Sequence, residues 1–339
     1  MLPAKLLKRP RAVISKDDRR WLTIAATLAE RGRPSSAPNP AVGAVLVKDA
    51  IVIGRGWTQA GGRPHAEAMA FAQTGQSARG ATLYVTLEPC AHHSERGPAC
   101  ADLAAEAGIK RLVVGVTDPD PRTAGSGMER LRAAGVEIAL ANDPACGMSL
   151  AGYLCRTRYG RPHITLKLAM SLDGAIATAS GQSQWITGDL ARAHTHRERA
   201  RADAILVGGA TLRSDTPQLN VRLPGLEDHS PERWVLSSHP TPDGWHQLPA
   251  VEELGRMAPH QYLFVEGGSS AAASFLRADL VDRLLIYRAP ILIGGGKSAI
   301  ADYGLDDLAS AHNIWSLSAR RQLGRDTLEV YDRTPCSPE

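Results

Sequence analysis

Aromatic side chains are scarce here. Three phenylalanines occur in 339 residues, and aromatics make up 5% of the chain. With 43% hydrophobic residues, that scarcity points to a soluble α/β protein with an interior of Ala, Leu and Val. Long apolar runs are absent too. No stretch reaches the roughly 18 residues of a membrane span, which excludes a transmembrane helix. The N-terminus from Met1 to Arg11 is basic without an apolar segment behind it, so no secretory signal is expected. Its Lys5, Lys8, Arg9 and Arg11 read as a solvated tail. A formal net charge of +4 is too small to argue for nucleic acid. Cysteines number five (Cys90, Cys100, Cys146, Cys155 and Cys336), an odd count without disulfide-framework spacing. The expected compartment is the reducing cytoplasm. No Gly-x-Gly-x-x-Gly and no internal repeat occur.

What the chain does have is concentrated between Arg63 and Cys100. His65-Ala66-Glu67 is followed by Leu87-Glu88-Pro89-Cys90 and, after nine intervening residues, by Cys100. One imidazole and two thiolates leave the fourth corner of a zinc tetrahedron for water. A carboxylate that is not a ligand can then carry protons. His65, Cys90 and Cys100 are therefore expected to bind Zn²⁺, and Glu67 to shuttle protons. His-x-Glu with Pro-Cys-x-x-Cys is the signature of zinc deaminases, although the second cysteine here lies further on than usual. Positions i and i+2 point about 200° apart along a regular helix, so His65 and Glu67 can converge only at a helix N-terminus. Pro64 and Pro89 each fit such a start, ahead of His65 and Cys90. His92 and His93 in the intervening loop are alternative ligands.

Around this stretch the pattern alternates between strands and helices, which indicates a layered α/β sheet with helices on both faces. A helix opens at Asp17-Asp18, strands run Ala41 to Val47 and Ile51 to Gly54, and a further strand, Thr82 to Leu87, delivers Cys90. Gly97 to Gly108 reads as helix, Arg111 to Val116 as a buried strand, Met128 to Ala134 as helix, and Val136 to Leu140 closes the set. Gly43 inside its strand allows a close approach of backbone or ligand. A second α/β pattern starts at His163, with strands at 163–168, 203–208, 234–236, 261–265 and 283–287, a helix at 189–202, and a closing antiparallel pair at 313–317 and 327–331.

The second half carries weaker signals. Gly294-Gly295-Gly296-Lys297-Ser298 fails as a P-loop, because Ile291 stands where its first glycine belongs. Glu266-Gly267-Gly268-Ser269-Ser270 follows a strand and opens a helix, so its amides can cradle a pyrophosphate. Arg199, Arg213 and Arg222 are candidates for a phosphate clamp. The polar run Ser183 to Gly188 around Trp185 reads as core packing or as a pocket wall.

At this point the motifs together resemble a known family, the bifunctional deaminase–reductases of riboflavin biosynthesis. The resemblance covers about residues 17 to 333. In the first half it rests on Pro38-Asn39-Pro40-Ala41-Val42-Gly43, His65-Ala66-Glu67 and Thr86-Leu87-Glu88-Pro89-Cys90. In the second half it rests on Thr165-Leu166-Lys167, Ser171-Leu172-Asp173-Gly174, Trp185-Ile186-Thr187-Gly188 and Val265-Glu266-Gly267-Gly268. The resemblance implies an α/β protein of two domains, a cytidine-deaminase-like α/β/α sandwich and a dihydrofolate-reductase-like α/β domain. The expected boundaries are a tail at 1–16, a deaminase domain at 17–145, a linker at 146–160, a reductase domain at 161–333 and a tail at 334–339.

The resemblance also implies two reactions. A diamino-hydroxypyrimidine bearing a phosphoribosylamino group is deaminated at a zinc site, and NADPH then reduces the ribosyl unit of the product to ribityl. Asn39 would contact the pyrimidine. Ala169, Trp185, Thr211, Asp215 and the turn Gly268, Ser269, Ser270, Ala271, Ala272, Ala273 and Ser274 would touch NADPH. Lys167, Ser183, Arg199, Leu219, Arg222 and Glu266 would hold the substrate. The partners are this phosphorylated pyrimidine and further copies of the chain, as dimer or tetramer, with neither nucleic acid nor membrane. The chain departs from the family in a Cys90–Cys100 loop one residue longer, in Asp120 where asparagine is usual, and in a short stretch between Leu236 and Gln261. Two other readings stand beside this one. The first is a zinc-dependent nucleobase or tRNA deaminase with a non-catalytic C-terminal domain, and the second is a zinc-stabilised scaffold in which His92 closes the metal.

Overall fold

Capping chemistry sets where the chain begins to fold. The Ser15 hydroxyl accepts from the Asp18 amide at 3.0 Å, and the Asp18 carboxylate accepts from the Ser15 amide at 2.8 Å. This capping box starts the first helix at Lys16, slightly earlier than the acidic pair Asp17-Asp18 indicates. The computed structural model describes residues 13–92 and 94–334, so the basic residues of the tail, His93 and Cys336 lie outside the described residues. The chain forms two compact units, residues 1–158 and 159–339. No helix among the described residues is long and apolar enough to cross a membrane.

The first unit runs α1 (Lys16–Ala29), β1 (Gly43–Lys48), β2 (Ile51–Trp57), α2 (Ala66–Phe71), β3 (Thr82–Leu87) and α3 (Cys100–Glu106). It continues with β4 (Arg111–Val116), α4 (Ser126–Ala133), β5 (Glu137–Leu140), α5 (Pro144–Ser149) and α6 (Ala151–Tyr159). The sheet order is β2-β1-β3-β4-β5, with β1 antiparallel to both neighbours and β3, β4 and β5 parallel. Alternate residues of the strands face opposite layers. Leu46, Leu83, Val85, Leu112 and Val114 pack in one core with α2, α3 and α4. Val45, Tyr84 and Val113 pack in the other with α1 and Cys146 of α5. Helices therefore cover both faces, as the strand–helix alternation predicts. Gly43 has a definite reason: a Cβ there would lie 1.9 Å from the carbonyl oxygen of Ala25 on α1. The close approach is to backbone. Tyr153 and Leu154 of α6 are buried in the first of these cores.

The second unit runs β6 (His163–Met170), β7 (Ala175–Ala177), α7 (Asp189–Arg199), β8 (Ala204–Gly208), α8 (Gly209–Asp215), β9 (Glu232–Leu236) and β10 (His246–Leu248). It ends with β11 (Tyr262–Val265), α9 (Ser269–Arg277), β12 (Arg283–Arg288), β13 (Lys297–Ser298), β14 (Trp315–Leu323) and β15 (Asp326–Arg333). Its main sheet has the order β10-β9-β8-β11-β6-β12-β15-β14. The six strands from β10 to β12 are parallel, and β15 and β14 close the sheet antiparallel. The short stretch between Leu236 and Gln261 holds both a strand, β10, and a 3₁₀ segment, Val251–Met257, whose Val251, Leu254 and Met257 enter the core. Lys297 and Ser298 form β13 against β7, which accounts for the glycine-rich run before them as a turn.

Three carboxylates act as staples. Asp282 takes both Arg161 nitrogens at 2.7 and 3.0 Å, together with the Ile164 amide at 2.8 Å. Asp173 accepts from the amides of Ile293 and Gly294 at 3.2 and 2.8 Å. Asp203 accepts from the amides of Gln261 and Tyr262 at 3.0 and 2.7 Å.

Candidate functional sites

His65 is the N-cap of α2 and takes an extended backbone conformation, while Glu67 is the second residue of the helix. The two side chains therefore fan from the helix end instead of following its 100° steps, and the i, i+2 spacing is no obstacle. Cys100 is the first residue of α3. Cys90 is not at a helix start, contrary to the expectation from Pro89: residues 88–92 are irregular. The reason lies in what Glu88 does. Its buried carboxylate accepts from the amides of Gly125 and Met128 at 3.0 and 3.3 Å, capping α4. Gly127 lets the Pro89 carbonyl come so close that a Cβ would sit 1.9 Å from its oxygen. The chain is pinned in a loop, and the Cys90 carbonyl takes the Ala101 amide at 3.1 Å.

The donor atoms of His65, Cys90 and Cys100 all lie within 4.8 Å of one another, and His92 is not in the group. His65 Nδ1 is 3.3 Å from Cys100 Sγ and 3.6 Å from Cys90 Sγ. One imidazole and two sulfurs in a buried cluster fit a tetrahedral Zn²⁺ with one open position. The Cys100 thiol and His65 hold the Cys90 thiol well below its ordinary range, and the Cys100 thiol is pushed up by Cys90 and by burial. Glu67 is 3% exposed. Burial raises its pKa, and the nearby His65 opposes the rise. A buried carboxyl raised in this way binds a proton more readily than one in water, which suits proton transfer.

Around this centre, Asn39 donates from its amide nitrogen to the Gly62 carbonyl at 3.0 Å, which ties it to the loop leading into His65. Asp120 neither faces open water nor stands alone: Arg122 donates to it from Nε at 3.0 Å and holds its pKa down. Asp118 is buried and accepts from the Tyr153 hydroxyl at 2.8 Å.

The second unit has a cleft of about 850 Å³. It lies beyond the carboxyl ends of parallel strands, bordered by residues following β8, β9 and β11, where open α/β sheets bind ligands. Alternation along β6 buries Leu166 and Leu168 in the core and turns Lys167 and Ala169 to the cleft. Gly268 caps α9, and a Cβ there would lie 3.0 Å from Thr211 Oγ1. This narrow glycine-edged turn with free helix amides fits a dinucleotide pyrophosphate. Within the cleft Arg199 donates to both oxygens of Glu266, at 2.6 and 3.0 Å, and to the Asn220 carbonyl at 2.9 Å. Lys167 Nζ stands 3.6 Å from Glu266. Burial pushes the Glu266 pKa up, but Lys167 and Arg199 outweigh it and hold the carboxyl at about 2.

Both halves match known families. Residues 15–116 match the cytidine and deoxycytidylate deaminase zinc-binding region, and residues 162–327 match the RibD C-terminal domain. The chain is 37% identical to the riboflavin biosynthesis protein RibD of Haemophilus influenzae, covering 94% of this chain and 98% of that protein. It is 35% identical to the Escherichia coli RibD over 87% of this chain and 94% of the other. The chain belongs to the RibD family. Among solved structures, Acinetobacter baumannii RibD superposes with a TM-score of 0.82 at 34% identity, covering 94% of this chain and 99% of that one. A Thermotoga maritima diaminohydroxyphosphoribosylaminopyrimidine deaminase/5-amino-6-(5-phosphoribosylamino)uracil reductase superposes at 0.83 with 31% identity and the same coverage.

Set beside the RibD motifs, the cleft gathers most of the expected reductase residues. Ala169, Trp185, Thr211, Asp215, Gly268, Ser269, Ser270, Ala271 and Ser274 line it, as do Lys167, Ser183, Arg199, Arg222 and Glu266. Arg213 lines it as well, and the run from Ser183 to Thr187 is a pocket wall. Three residues fall elsewhere. Ala272 and Ala273 are buried on the far side of α9, and Leu219 is buried outside the lining with φ of 54°. Arg199 lines the cleft with its guanidinium bonded to Glu266 and to the Asn220 carbonyl. Sequence reasoning missed Glu88 as a helix cap, although a carboxylate in an otherwise apolar Leu-Glu-Pro-Cys run was a signal. It also missed His196, Ser237 and Lys297 in the cleft lining. For His196 the signal was spacing: Arg192, Thr195, His196 and Arg199 share one face of α7.

Proposed function

We infer that His65, Cys90 and Cys100 hold the zinc of the deaminase and that Glu67 moves its protons. The cleft around Lys167 and Glu266 is inferred to be the site where NADPH reduces the deaminated product. The chain is thus a bifunctional enzyme of riboflavin biosynthesis, acting on a diaminohydroxypyrimidine that bears a phosphoribosylamino group. The observation that carries this reading is the three-ligand cluster with the buried carboxyl of Glu67 beside it. Zinc, when bound, supplies Lewis acidity at a coordination position left for water. Glu67 then takes the proton that water must lose and returns it to the departing amine. Asn39, held by the Gly62 carbonyl, bounds the pyrimidine pocket.

NADPH, when bound, supplies the hydride. The α9 turn from Gly268 to Ser274, with Ala169, Trp185, Thr211 and Asp215, is assigned to hold it. Glu266 stays ionised and fixes Lys167 and Arg199 beside the ribosyl unit, with Ser183 and Arg222 on the same lining. Lys167 is the group placed to deliver a proton as C1 of that unit is reduced. We assign residues 17–145 to the deaminase and 161–333 to the reductase, joined by 146–160, whose Cys146, Tyr153 and Leu154 pack in the cores of the first unit. Metal-binding thiols suit the reducing cytoplasm, and the family resemblance supports a homo-oligomer. A nucleobase or tRNA deaminase with an inert second half is not favoured, because the second half matches the RibD C-terminal domain over residues 162–327.

Supplying the diaminopyrimidine ribotide with and without NADPH, and identifying products by mass, tests both steps. Deaminated ribotide without NADPH and the ribityl product with it are expected. Unchanged substrate in both tubes would refute the assignment.

A further inference from the structure

His196 lies on the same face of α7 as Arg192, Thr195 and Arg199, and it lines the cleft. Its Nδ1 accepts from the Arg222 backbone amide at 3.3 Å. A ring nitrogen that accepts carries no proton, so the neutral ring keeps its N–H at Nε2. A second proton would have to displace the Arg222 amide. Burial, together with Arg199 and Arg222, also disfavours it, against the opposing pull of Glu266 and the Asn220 carbonyl. The ring is therefore an uncharged donor beside cations. Arg199, the obvious cation here, already commits three of its N–H groups to Glu266 and Asn220. Arg222, by contrast, is exposed on the cleft wall, held loosely by Gln218 at 3.4 Å and Asn220 at 3.1 Å.

We propose that His196 is a substrate-positioning residue of the reductase, its Nε2–H joining the Arg222 guanidinium on the phosphate of the ribosyl unit. This rests on the reading of the cleft as the reductase site. The backbone bond to Arg222 makes the two groups one device, since the ring that holds the residue in place also presents the second donor.

Wild-type oxidation of NADPH with the deaminated ribotide comes first, because its failure defeats the site assignment and leaves His196 out of the question. With an active wild type, two substitutions separate the ring's roles. His196→Asn keeps an acceptor for the Arg222 amide and loses the reach of Nε2. His196→Gln keeps a donor near that position. A hydrogen bond to a charged group implies a KM for the ribotide about tenfold higher in His196→Asn. The same variant should show little change in kcat or in KM for NADPH, and His196→Gln should stay near wild type. With the dephosphorylated substrate, wild type and His196→Asn should be equal. An unchanged ribotide KM, an equal loss with the dephosphorylated compound, or a rise confined to the KM for NADPH would each overturn the proposal. Should His196→Asn fail to fold, the imidazole nitrogen resonances of His196 in the wild type decide instead. They should shift on saturation with inorganic phosphate, and an absence of shift overturns the proposal.

Discussion

Replacing Glu67 by Gln removes one ionisable proton site and almost no volume, so it isolates proton transfer from metal binding. The carboxyl is 3% exposed and is not among the three metal donors. Its neighbour in sequence motif, Glu88, cannot substitute, because its oxygens are occupied by the amides at the start of α4. General acid–base catalysis contributes about 10²- to 10⁴-fold, or roughly 3 to 5 kcal/mol of barrier. Ammonia release by Glu67→Gln should fall by that factor while zinc content stays at about one per chain. A second readout comes from stability. Burial raises the Glu67 pKa above its ordinary 4.5. The folded metal-free protein then binds the proton more tightly than the unfolded chain, and stability declines as pH rises above that value. Gln mimics the protonated form and escapes the decline. Metal-free Glu67→Gln should therefore melt higher than metal-free wild type near neutral pH, and the two should converge below about pH 4. Ammonia release within tenfold of wild type would sink the proton-shuttle assignment, and loss of zinc would make Glu67 a ligand.

The other expectations concern the supports of the two sites. Glu88→Ala strips two amides at the start of α4 of their acceptor and frees the Pro89-Cys90 loop, so zinc retention under chelator challenge should weaken by about tenfold or more. Gly43→Ala drives a methyl to 1.9 Å from the Ala25 carbonyl. Overpacking of this kind costs about 1 to 3 kcal/mol, and a clearly lower melting temperature should follow. Glu266 is held at about 2 against an ordinary 4.5, so its ion pairs contribute roughly 3 kcal/mol of stability at neutral pH. That contribution is fully present above pH 4.5 and is lost as pH falls through about 2. Glu266→Gln should flatten this acid limb and, by leaving Lys167 and Arg199 without their counter-ion, abolish NADPH oxidation while ammonia release persists.

The His65, Cys90 and Cys100 cluster was legible because ligand chemistry is carried by residue type and because the strand at 82–87 announces where Cys90 is delivered. The strand–helix alternation likewise foretold helices on both faces of the first sheet, since a buried parallel strand writes itself as an apolar run. Other features left no local mark. Pro89 looked like a helix start, and only the demand of α4 for an acceptor, met by Glu88 from 37 residues away, keeps Cys90 in a loop. Nothing near Arg199 in the sequence announced that its guanidinium pairs with Glu266, 67 residues later.

The amino-acid sequence by itself pointed to the candidate donor set His65, Cys90 and Cys100, to the carboxylate of Glu67 and to the two α/β patterns, because each is carried by residue types and their order along the chain. Tertiary structure alone decided which charges remain available to a ligand. Whether Arg199 or His196 meets the substrate depends on which partners each already has, and those partners, Glu266 for Arg199 and the Arg222 amide for His196, come from segments distant in sequence.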